Sequence, residues 1–257
     1  MGGDGSLDEK LASHVFVTDF VWAARAIFAQ PSVALVSIAF WVLPLFAPHV
    51  GHSWAVAAGM VLFIPFMLGW LGAERMFFLR RREGTSVTVR ELLGSVRFFA
   101  GRFFRLGLLL AIVVIPLILV IARFARYLEF TAPFAPHARI VATIQAVTVL
   151  IPVDVLLTFV PSALVYTTRD PRQALRIGFS MIRRTWPRSA LYVLCPPLAL
   201  NLLNTIYPTD MLIVSVVTTA GLALLALIAK GATAAFYLRA GTLSADAFTD
   251  TGLEPQT

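Results

Sequence analysis

The sequence predicts an all-α polytopic membrane protein of about six transmembrane helices, built as three units that each join an amphipathic helix to a helical hairpin. Three observations lead there. Apolar residues make up 58% of the chain and charged residues 14%, against about 25% charged in an ordinary soluble domain. The apolar residues gather in runs long enough to cross about 30 Å of hydrocarbon at 1.5 Å per residue. The basic residues fall between those runs, and they fall on one side.

The runs are 31–48, 53–79, 106–125, 139–166, 189–207 and 211–238. The first is short and carries Pro44. The fifth holds Pro196, Pro197, Asn201 and Asn204. The turn between the last two is only Tyr207-Pro208-Thr209-Asp210, short enough for a tight hairpin. After Arg239 the small, polar tail 240–257 predicts disorder.

Lys and Arg placement sets the sidedness. The second-to-third connection holds eight arginines: Arg75, Arg80, Arg81, Arg82, Arg90, Arg97, Arg102 and Arg105. The fourth-to-fifth holds six: Arg169, Arg172, Arg176, Arg183, Arg184 and Arg188. Only Arg123, Arg126 and Arg139 fall on the other side. With Lys10, Arg25, Lys230 and Arg239, the asymmetry puts both basic loops and both termini in the cytoplasm, which requires an even number of spans. Two lysines among so many arginines, with abundant Ala, suit a GC-rich bacterial genome and hence the bacterial cytoplasmic membrane. The net charge of +7 does not imply nucleic acid, because it lies in loops between spans. Residues 1–16 lack the basic start and immediate apolar core of a secretory signal. Met1-Gly2 followed by Ser6 loosely fits an acylation site, which adds little to a spanning protein.

The loops contain a recurring design. Asp170 and Pro171 suit the N-cap and first position of a helix. Leu175, Phe179, Ile182 and Trp186 then form an apolar stripe beside a basic one of Arg172, Arg176 and Arg183, which predicts an amphipathic helix at the membrane interface. In the first loop Thr88 and Glu91 have capping-box spacing, and Leu92, Val96, Phe99 and Phe103 repeat the stripe at the same offsets. Ser6 and Glu9, with Val17, Val21, Ala24 and Phe28, repeat it again before Pro31. Hairpin exits recur as well: Gly72-Ala73-Glu74-Arg75-Met76-Phe77-Phe78-Leu79-Arg80 aligns without gaps to Gly231-Ala232-Thr233-Ala234-Ala235-Phe236-Tyr237-Leu238-Arg239. Tyr166 precedes Arg169 at the same aromatic-to-Arg spacing. These recurrences define units at roughly 6–80, 86–169 and 170–239 within a single bundle spanning 1–239.

The stretch Asp170-Pro171-Arg172-Gln173-Ala174-Leu175-Arg176, through Arg184-Thr185-Trp186-Pro187-Arg188, resembles the segment before a late hairpin in a bacterial six-span membrane superfamily. That superfamily includes the membrane domain attached to some glycerophosphodiester phosphodiesterases. The resemblance implies a six-helix bundle with amphipathic loop helices. It carries no catalytic residue, and no soluble phosphodiesterase domain accompanies it here.

Asp154, near the middle of the fourth run, and Lys230, inside the sixth, are the intramembrane ionisable candidates. An Asp at the centre of a span costs roughly 2.5–3.5 kcal/mol on insertion scales and should face the bundle or a wet cavity. Their depths from the cytoplasmic ends differ by about 6 Å, within a lysine's reach. The two read as a proton-coupled or polar-substrate site, as a helix-locking contact, or as unpaired, with Lys230 snorkelling and Asp154 binding backbone groups exposed by Pro152. Asn201 and Asn204, sharing one helical face at i, i+3, could line the same pathway with Gln145, Ser215, Thr218 and Thr219, or bond between helices. Glu74 and Arg75 read as interface anchors. Cys195 reads as a packing residue. His49, His52 and His137 map to the outer face without a completed metal set. Nucleophile-elbow and phosphate-loop motifs are absent, so no catalytic residue, cofactor or enzymatic activity is assigned.

The most extensive candidate surface is cationic: Arg90, Arg97, Arg102 and Arg105 in the first loop, Arg172, Arg176, Arg183 and Arg184 in the second. Anionic lipid headgroups are its expected partners. The chain then reads as a lipid-interacting accessory or scaffold, or as a carrier of an amphiphile. A permease subunit of a type-2 ABC exporter, with an ATPase partner, is the alternative. Such permeases are similar in length, in six spans and in an N-terminal amphipathic helix, and Arg81-Arg82-Glu83-Gly84-Thr85 before Glu91-Leu92-Leu93 resembles their coupling loop.

Reporter fusions after Arg90 and after Leu175 should both read cytoplasmic. An extracytoplasmic signal at either position would overturn the topology.

Overall fold

The computed structural model describes residues 4–49, 53–131, 151–206 and 212–248. Among these every regular element is a helix. In order they are α1 (Asp4–Phe28), α2 (Pro31–Val42), a 3-10 segment (Leu43–His49), α3 (Ser53–Arg82), α4 (Val89–Thr131), α5 (Ile151–Leu157), α6 (Val160–Tyr166), α7 (Pro171–Thr185), α8 (Ala190–Ile206) and α9 (Leu212–Phe248).

The punctuation follows local chemistry. Pro31 takes the first position of α2 behind Gln30, and the chain turns there by 96° between Val15–Phe28 and Pro31–Phe46. The α2 helix tightens into 3-10 geometry at Leu43, next to Pro44, whose ring cannot sit inside an α-helix without loss of a bond. Thr88 and Glu91 form the expected reciprocal cap: each backbone N–H donates to the other's side chain, at 3.1 and 3.3 Å. Asp170 caps α7 by accepting from the Arg172 N–H at 3.1 Å.

Among the described residues two helices, Val89–Val120 and Leu212–Gly241, are long and apolar enough to cross a bilayer, and the bent pair Val15–Phe28 and Pro31–Phe46, counted as one span, makes three. The first-loop amphipathic segment and the third apolar run are one continuous helix, α4, of 43 residues. Likewise α9 runs to Phe248 and takes in residues 240–248 of the tail expected to be disordered. The fourth run is described only from Ile151, where it is broken at Thr158–Phe159 between α5 and α6.

The three apolar stripes meet three different surroundings. Leu92, Val96, Phe99 and Phe103 are buried, 0–4% exposed, against α3 rather than at an interface with lipid. Val17, Val21 and Phe28 instead point outward, while Asp19, Ala23, Ala26 and Ile27 fill the inner face of α1. On α7, Phe179 and Trp186 are exposed, and Ala174 and Gly178 make the inner face.

Close approach of α3 to α4 depends on Gly72. A Cβ there would lie 2.4 Å from the Phe99 ring. The aligned Gly231 lets α9 approach α3 and α1, since its Cβ would lie 2.5 Å from Phe78 and 2.7 Å from Ala23. Helix α9 packs against α1, α2, α3 and α8, so it is the common wall of the bundle.

Gly72→Ala should destabilise the protein by about 1–3 kcal/mol through overpacking. Gly94→Ala, whose Cβ meets nothing within 4 Å on the same bundle, should be neutral or mildly stabilising. Thermal unfolding in detergent compares the two; equal midpoints would refute the close crossing.

Candidate functional site: buried charge at the cytoplasmic exits

The segment of α3 that aligns with the exit of α9 holds the most buried carboxylate of the described core. Glu74 is 2% exposed. Lys230 Nζ donates to its Oε2 at 2.7 Å, and the Ser37 hydroxyl donates to Oε1 at 2.7 Å. Trp70 Nε1 in turn donates to the Ser37 hydroxyl at 2.8 Å. Both carboxylate oxygens are therefore satisfied, and the chain of bonds joins α2, α3 and α9. The Phe40 ring lies 5.8 Å from that of Trp70 and 5.2 Å from those of both Phe63 and Phe66. Glu74 is held in such surroundings because Lys230, whose own side chain is 21% exposed, neutralises it.

Lys230 thus pairs with Glu74 and not with Asp154. Asp154 lies on α5 with an exposed side chain and no ion pair among the described residues; its backbone carbonyl accepts from the Thr158 hydroxyl at 2.9 Å. Glu74 is no interface anchor. A signal for it was present: Glu74 is about 5 residues from the end of its run and Lys230 about 8 from its own, a depth difference of roughly 4.5 Å that is smaller than for Asp154.

Arg75 is equally out of place as an anchor. It is 6% exposed; Nη1 donates to the Leu71 carbonyl at 2.9 Å, and Nε has no hydrogen-bond partner. The Tyr166 hydroxyl donates to the Arg75 carbonyl at 2.7 Å, the Tyr166 and Tyr237 rings lie 5.9 Å apart, and the Tyr237 and Thr167 hydroxyls share a 2.7 Å bond. Arg82 Nη1 reaches the Ala235 carbonyl at 2.7 Å. The exits of α3, α6 and α9 are thereby tied to one another.

A second ion pair fastens α1. Arg239 pairs with Asp19, whose other oxygen accepts from the Tyr192 hydroxyl at 2.6 Å, so α1, α8 and α9 meet at one carboxylate. Neither Asp19 nor Tyr192 stands out in the sequence, because each sits among apolar residues without a motif.

Of the remaining candidates, Asn201 and Asn204 fall on α8, but their side chains lie outside the described residues, as do Gln145, His52, His137 and the side chain of His49. Ser215, Thr218 and Thr219 are half-buried on α9. Cys195, expected to pack, is exposed. The loop arginines divide by depth. Arg90, Arg97, Arg105, Arg172, Arg176, Arg183 and Arg184 are exposed, whereas Arg102 is half-buried over Phe98, its Cζ 4.0 Å from the ring centroid. Phe179, Ile182, Arg183 and Trp186 line an open hollow on α7.

Comparison with known proteins finds no matching family model, no matching curated protein and no matching solved structure.

Lys230→Met and Glu74→Gln should each lower thermal stability, and the double variant should lose less than the sum, with a coupling of about 1–3 kcal/mol. Strict additivity in a double-mutant cycle would remove the pair from the bundle's stabilising contacts.

Proposed function

We propose that this is a non-enzymatic six-span protein of the bacterial cytoplasmic membrane, with both termini in the cytoplasm, that engages anionic lipids as an accessory or scaffold or carries an amphiphile. One observation carries this reading. Arg90, Arg97, Arg105, Arg172, Arg176 and Arg183 are exposed and make no ion pair among the described residues, while Phe98, Phe104, Phe179 and Trp186 beside them are 54–57% exposed. Unpaired cations interleaved with exposed aromatic rings suit the headgroup region, where a ring sits at the boundary and each cation gains roughly 1 kcal/mol from anionic lipid.

The count of six rests on adding α2 with its 3-10 segment, α3, α8 and the run ending in α6 to α4 and α9, which are long enough alone. Support for three units comes from the aligned glycines at helix crossings and from the shared hydrogen bonds of the α3, α6 and α9 exits. Resemblance to the superfamily that includes phosphodiesterase-attached membrane domains agrees with this layout. The permease reading, with an ATPase partner, draws on the 96° corner that sets α1 off from α2 in the manner of an amphipathic N-terminal helix. The 15-residue basic helix α7 counts against it.

The test is the lipid retained by the purified protein. Mass spectrometry should find anionic phospholipids enriched over the bulk membrane, with the enrichment falling severalfold in Arg172→Gln/Arg176→Gln/Arg183→Gln. Retained lipid of bulk composition would refute the proposal, and a co-purifying ATPase would move it to the exporter.

A further inference from the structure

Two arginines from different basic loops meet on one aromatic ring. Arg102, on α4, lies with its Cζ 4.0 Å from the Phe98 centroid and 5.6 Å from that of Phe99. Arg169, between α6 and α7, lies with its Cζ 5.9 Å from the same Phe98 ring. Neither makes an ion pair among the described residues. Arg102 spends one N–H on the Leu164 carbonyl, at a long 3.4 Å. The nearest acid in sequence, Asp170, is engaged in capping α7. Two like charges are thus held together by a ring, with most of their donors unspent.

We propose that Arg102 and Arg169, braced by Phe98, form a discrete site for the phosphate of one anionic phospholipid. The inference rests on the lipid-engaging reading above and narrows it to a single seat. A guanidinium held against an aromatic face keeps its N–H edges free, and those edges match phosphate oxygens in pairs. A phosphodiester between the two arginines cancels their repulsion and supplies the acceptors both lack.

The surroundings decide between a lipid phosphate and a free one. Below Arg102 on α4, Val113 and Val120, eleven and eighteen residues on and so on the same helical face, are 67% and 65% exposed. Together they make one lane along the helix. This lane runs away from the arginine pair for several turns of a helix apolar enough to cross a bilayer. A soluble phosphate leaves it bare, whereas an acyl chain attached to the seated headgroup covers it. Exposed arginines on α7 have no comparable lane, since α7 ends at Thr185.

Native mass spectrometry of the full chain, titrated with phosphatidylglycerol, phosphatidylcholine and inorganic phosphate in separate arms, tests the site. The wild type should retain one phosphatidylglycerol well ahead of further copies and ahead of phosphatidylcholine. Arg102→Gln and Arg169→Gln should each weaken that first binding about tenfold, the loss of one charge-assisted pair of bonds. Phe98→Leu, which keeps both charges, should weaken it severalfold. Arg169 is an exposed loop residue, so its variant reads binding without a folding defect. Unchanged first binding in Arg169→Gln overturns the site. If phosphatidylglycerol preference survives that variant but disappears on neutralising Arg172, Arg176 and Arg183, only this inference fails. If the wild type shows no preference over phosphatidylcholine, the lipid reading itself fails with it. Displacement of the first lipid by millimolar inorganic phosphate assigns the seat to a soluble anion and overturns the lipid assignment.

Discussion

A carboxylate that is 2% exposed in an apolar bundle must be neutralised from within, and Glu74 organises its neighbourhood around that requirement. Its two oxygens draw a lysine from α9 and a serine from α2, and the serine brings the Trp70 indole into line. Three helices far apart in sequence are held at one depth by a group that no apolar residue could replace contact for contact. Apolar packing alone is not directional, so it leaves helices free to slide or rotate. A salt bridge bonded at both oxygens does not.

The same logic recurs at the edge of the bundle with a different grip. Asp19 lies on the inner face of α1 and is met by Arg239 and Tyr192. Between these two carboxylates the exits of α3, α6 and α9 are cross-tied through Tyr166, Thr167 and Tyr237. Among the described residues the buried polar groups are few, and the bonded carboxylates sit where helices converge. The rest of the helix surface, on α4 above all, stays apolar and exposed.

The all-helical, membrane-spanning character was legible because composition and run length answer to the solvent, and solvent is a property of the whole chain. Caps were legible too: Thr88 with Glu91, and Asp170 with Pro171, act on their own backbone, so nothing distant decides them. Stripes were legible as stripes but not as contacts. The offsets of Leu92, Val96, Phe99 and Phe103 match those of Val17, Val21, Ala24 and Phe28, yet the first set is buried and most of the second faces out. Periodicity tells which residues share a face, and only tertiary packing tells what covers it. The partner of Lys230 was missed for a related reason. Asp154 stood out by its lone charge in a long apolar run, whereas Glu74, flanked by Arg75 and close to an end, resembled the border of a span. Burial of Arg75 and Asp19 depends on neighbours more than a hundred residues away in the case of Asp19, beyond any local signal.

The right-angled corner at Gln30 has a mechanical consequence. If α2 follows the bilayer normal, α1 runs parallel to the membrane plane, with Val17, Val21 and Phe28 turned outward. A rod lying in one leaflet takes up area there and none in the opposite leaflet. The molecule is then wider at one surface than at the other, like a wedge, and its footprint is best matched by a sheet that bends towards the narrower side.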